Sequence, residues 1–136
     1  MERGAQMIFS DQPERVIGRI SAIAHNPDSL DEDEPPPSEN TLQHLTGLLL
    51  EAAGKLDNRL PQITKVSACY GEINATWRVG DSIVRVASFP SGKALVQWGN
   101  VSSAIGSYKS EPASGELLAR RLKTLYSVSA AGSANC

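Results

Sequence analysis

Cysteine and histidine, which carry most nucleophilic and metal chemistry, are scarce: the 136-residue chain holds two of each. Cys69 lies in a strand-like stretch and reads as a small buried hydrophobe, while Cys136 falls in a small, polar tail, so no disulfide framework is available. His25 and His44 stand outside any recognised pattern of metal ligands, and no metal is expected. There is no G-x-S-x-G elbow, and no glycine-rich loop leads into a helix to cradle phosphate. These absences together predict no catalytic residue, no cofactor and no enzymatic activity. Also missing are an N-terminal apolar segment of the signal type and any apolar run near the ~20 residues of a membrane span. The expected setting is therefore the reducing cytoplasm, away from the membrane.

An excess of positive charge is lacking too. Thirteen Lys and Arg face fifteen Asp and Glu, for a net charge of −2, which argues against a generic grip on a phosphate backbone. The average conceals a polarity, because residues 1–60 carry 11 of the acids and only 5 of the bases. Such a dipolar chain can pair its own halves, meet a partner of complementary charge, or dimerise.

Periodicity supplies the rest. A first helix is predicted from about Pro13 to His25, with proline at its start where a missing N–H costs nothing. Residues 25–38, HNPDSLDEDEPPPS, break the pattern with four successive acids followed by three successive prolines. They read either as an extended, solvated linker or as an acidic docking segment built on Asp31, Glu32, Asp33 and Glu34. A second helix follows from Ser38, a good N-cap, to about Arg59, with Leu42, Leu45, Leu49, Ala52 and Leu56 as its apolar stripe. From Gln62 the period shortens to two, predicting strands over Ile63–Tyr70, Ile73–Val79, Ser82–Phe89 and from Ala94 to Trp98. Gly71-Glu72, Gly80-Asp81 and Pro90-Ser91-Gly92 supply the turns. Connections this short demand an antiparallel meander. Residues 99–113 read as a surface loop, a third helix is predicted from Ser114 to about Ser127, and the tail from Val128 is expected to be disordered.

The expected architecture is thus α+β: a four-stranded antiparallel β-meander packed against α-helices in the order α-α-β-β-β-β-α. Its Ile73, Ala75, Trp77 and Val79 face meets the second and third helices. The expected organisation is residues 1–37 as helix and acidic linker, 38–127 as the core domain, and 128–136 as the tail.

The segment Asp28 to Ser38, the pair Leu60-Pro61, the run Gly71-Glu72-Ile73-Asn74-Ala75-Thr76-Trp77 and the stretch Leu117 to Leu125 together carry a layout. It resembles a group of small bacterial proteins with no assigned activity, a resemblance that supports the fold and implies no site. The helix–strands–helix core is also similar to double-stranded-RNA-binding domains, although Ser114-Gly115-Glu116-Leu117 stands where those have a lysine-rich helix start. Dimeric secretion chaperones are similar in being small, acidic and built of helices on an antiparallel sheet.

On the polar side of the meander, Thr76, Arg78, Arg85 and Gln97 line up if the register pairs them. Arg78 and Arg85 there are candidates for gripping a carboxylate- or phosphate-bearing partner. Trp77 and Trp98 fall on the apolar side and read as core. The expected function is that of a non-enzymatic accessory protein acting by protein–protein contact, as an antitoxin, immunity protein, chaperone or assembly adaptor, with homodimerisation an option. The competing expectation is a nucleic-acid-binding module using the basic C-terminal half: Arg78, Arg85, Lys93, and Arg120, Arg121 and Lys123 on exposed positions of the last helix.

Overall fold

The Ser38 hydroxyl accepts a hydrogen bond from the Thr41 amide at 3.1 Å, an N-cap that satisfies one of the unpaired donors of a helix start. The computed structural model describes residues 12–25, 36–101 and 108–135. Within them the elements are α1 (Pro13–Ala24), α2 (Glu39–Gly54), β1 (Lys65–Cys69), β2 (Glu72–Val79), β3 (Ser82–Ser88), β4 (Ala94–Asn100), β5 (Lys109–Pro112) and α3 (Gly115–Asn135). Helix α2 ends short of Arg59 because Asp57 and Asn58 take the left-handed conformation, at φ 58° and 59°. Asp and Asn tolerate that conformation, and the Asn58 amide turns back onto the Ala53 carbonyl at 2.8 Å.

The sheet is antiparallel throughout, in the order β1-β2-β3-β4-β5. It has five strands, not four. The additional strand is Lys-Ser-Glu-Pro, which has no β-branched or aromatic residue to mark it. That composition suits its position at the sheet edge, where charge and proline discourage further pairing. Helix α3 continues to Asn135, past the expected end at Ser127. The first hairpin turn lies one residue earlier than expected, on Tyr70 (φ 50°) and Gly71 (φ 84°). Two successive positive φ values make the type I′ turn whose twist matches its strands. Tyr70 consequently leaves the strand face and stands exposed, as does Cys69, which is not the buried hydrophobe expected.

All three helices contribute to one core on one face of the sheet. Ile73, Ala75 and Trp77 of β2, Val84 and Val86 of β3, and Ala94 and Val96 of β4 pack with Leu45, Leu49 and Ala52 of α2 and with Leu118 and Leu122 of α3. Trp77 is wholly buried, and its indole N–H donates to the Pro61 carbonyl at 2.9 Å, so the ring is buried with its polar handle satisfied. The buried Ser88 hydroxyl donates to the Thr41 carbonyl at 2.9 Å and fixes the first turn of α2 to the end of β3. Gly115 opens α3 where a Cβ would collide with the Glu51 side chain, which lets the helix start close against α2.

Helix α1 joins the same core. Val16, Ile20 and Ala24 are buried in it, and the Arg19 guanidinium donates to the Ile63 carbonyl at 2.8 Å. Burying a side chain such as Ile20 is worth about 1.5–3 kcal/mol.

Candidate functional site

Among the described residues, two surfaces bring candidate side chains together: the outer face of the sheet and a cleft under α3. On the outer face the register places Lys65, Thr76, Arg85, Gln97 and Ser110 in one row across all five strands. Thr76, Arg85 and Gln97 therefore align as the strand alternation predicts. Arg85 lies within a hydrogen-bonded network: it donates to Glu72 Oε2 at 2.7 Å and to Gln97 Oε1 at 3.1 Å. Asn74 donates to the same Glu72 oxygen at 2.6 Å and accepts from the Ser67 hydroxyl at 3.1 Å. The network spans β1 to β4, with the Glu72 carboxylate as its hub. Arg78 belongs to a separate group, donating through Nε to the Gly80 carbonyl at 2.7 Å with Asp81 at 3.6 Å. The two sheet-face arginines thus point to different acids.

Around this polar centre the outer face is unusually apolar. Antiparallel sheets with one solvated face alternate apolar inward and polar outward, yet β3 turns Ile83 and Ala87 outward, with Phe89 just beyond its end and Leu95 on β4 opposite Ala87. Ile83, Phe89 and Leu95 are half-buried and lie outside the core cluster. Among the described residues no helix lies over them, since the helix residues that bury apolar surface belong to the core on the other face.

The cleft lies under α3, where the ends of β3 and β4 and the start of β5 meet that helix. On the inner face Trp77, Val84, Trp98 and Lys109 form a second cross-strand row. Trp77 is sealed, whereas Trp98 is only half-buried, because the sheet outruns its helical cover towards β5. A cavity of about 370 Å³ opens there, lined by Trp98, Asn100, Lys109, Arg121 and Thr124 among others. The Arg121 guanidinium lies 4.4 Å above the Trp98 ring in a cation–π contact. Arg121 is accordingly turned inward and half-buried, which corrects its expected exposure. Its Nε is buried and meets no hydrogen-bond acceptor among the described residues.

The remaining predicted residues disperse. Arg120 and Lys123 are exposed on α3, and Lys93 is exposed in the turn at the far end of β4 from the cleft, so the basic residues do not converge on one surface. Asp31, Glu32, Asp33 and Glu34 lie outside the described residues. Among the described residues no cluster of His, Cys, Asp and Glu is suited to a metal, and no helix is long and apolar enough to cross a membrane. Sequence reasoning missed Glu72, Lys109 and the partly open Trp98. The alternation already put Trp98 on the inner face, but only β5, which pairs Lys109 with it, shows that the sheet continues beyond the core.

Fold and surfaces define an α+β protein with an antiparallel sheet, one face of which is covered by helices while the other, among the described residues, carries none. Comparison with known protein families, curated proteins and solved structures finds no match to this chain.

Proposed function

We propose that this chain is a non-enzymatic, cytoplasmic accessory protein of the antitoxin, immunity, chaperone or adaptor kind, and that a partner protein docks on the outer face of its sheet. The observation that carries this reading is the outward-facing, half-buried set of Ile83, Phe89 and Leu95, which lies outside the core cluster. An apolar patch with a polar centre has the composition of a protein-contact surface. The Glu72–Arg85–Gln97 network gives that patch a fixed, prepaid polar middle, so a partner need not desolvate a free arginine.

Affinity capture tests this with three proteins: the native chain, a double variant Ile83→Lys with Leu95→Lys, and an Arg120→Glu control. A partner held by the native chain and by the control should be lost by the double variant, with the melting temperature of all three unchanged. Equal capture by the double variant overturns the reading. Material that is nuclease-sensitive and released by moderate salt points to the nucleic-acid alternative.

A further inference from the structure

The cleft under α3 carries a chemistry that the outer face does not. Two cations, Arg121 and Lys109, border it, and no carboxylate is among its lining residues. This is a local property, since the whole chain is net negative. The Arg121 guanidinium carbon sits 4.4 Å from the Trp98 ring centroid, which holds the charged group at the cleft wall. Its Nε is a buried donor with no acceptor among the described residues, in an interior where the large majority of buried side-chain polar atoms are paired. The remainder of the lining is largely apolar, with Ile83, Val84, Trp98 and Leu125 contributing. A volume of about 370 Å³ lies at the small end of the range for small-molecule sites.

We propose that this cleft binds a small organic phosphate monoester, its phosphate between Arg121 and Lys109 and its apolar body against Trp98 and Leu125. Two unit positive charges match the nearly dianionic monoester at neutral pH better than the single charge of a carboxylate. The planar guanidinium fork suits a tetrahedral oxyanion, and lysine supplies a second point charge. The cleft adjoins the docking face at Ile83, which lines it, while Arg121, Lys109 and Trp98 belong to the cleft and not to that face.

Phenyl phosphate serves as the probe, with benzoate and phenol as comparisons, in a titration followed by ¹H–¹⁵N spectra of the full chain. The expected result is saturable shifts at Trp98 Nε1, Gly99, Thr124 and Arg121 Nε for phenyl phosphate. Benzoate should bind at least tenfold more weakly, and phenol should give no saturable shift. Arg121→Gln should weaken binding at least tenfold, and Lys109→Gln, on the exposed edge strand, should weaken it by a similar factor if the first variant folds poorly. Arg120→Gln, on the solvent side of the same helix, should leave affinity unchanged. Absence of saturable shifts with the native chain overturns the site. Equal affinity for benzoate overturns the phosphate assignment. Equal loss in Arg120→Gln reduces the effect to general charge and overturns the site as well.

Discussion

Tyr126 shows how one side chain ties this fold to pH. It packs against the core from the last helix, and burial pushes its phenol up from 10.0 to about 12. Below pH 10 both folded and unfolded chains keep that proton, and the group contributes nothing to pH dependence. Between about pH 10 and pH 12 the unfolded chain releases it and the folded chain holds it, so stability falls as pH rises through this window. Tyr126→Phe should flatten that alkaline decline, as read from melting temperature against pH, while leaving the neutral range nearly level. Individual residues also mark where the sequence stops being legible. Alternation put Arg85 on the outer face correctly. Its ion pair with Glu72 depends on a diagonal reach between neighbouring strands that no linear spacing encodes. Arg121 is similar: its place in α3 is legible, and its turn toward Trp98 follows only from where the sheet passes beneath the helix.

At the level of the element, β2, β3 and β4 were legible because they bury one face and alternate strictly, so the physical cause of the pattern is present in the letters. Strand β5 was not, because an edge strand is selected for what it prevents and has little apolar content to show. The first turn moved by one position because Gly71 is the second of its two central residues, leaving Tyr70 to adopt φ 50°. Gly71 itself is doubly constrained: φ is 84°, and a Cβ would come within 2.7 Å of Pro90 Cγ. Gly71→Ala should therefore cost about 1–3 kcal/mol in chemical denaturation. Gly80→Ala, where φ is positive but the space is open, should cost less. The comparison separates backbone strain from the collision.

Across the whole molecule, the sequence suggests an N-terminal unit of helix and linker beside a core, and the structure places α1 inside the same core as α2, α3 and the sheet. The linker's composition alone suggests that division; the burial of Val16 and Ile20 arises from tertiary packing that a chain break cannot reveal. Ile20 is fully buried, so Ile20→Ala should lower global stability by about 2–5 kcal/mol. Unfolding should remain a single transition in which helical and tryptophan signals move together. A separate early transition confined to part of the helical signal would mean that α1 melts on its own.

The two margins of the sheet are unequal, and this sets a limit on growth. One margin is β5, short, charged and closed by Pro112; the other is β1, longer and free of proline. Copies that joined by adding strand to strand would meet through β1 and leave only β5 facing outward on both sides. Among the described strands such a union would stop at a pair, because the margin left outward is the charged, proline-closed β5.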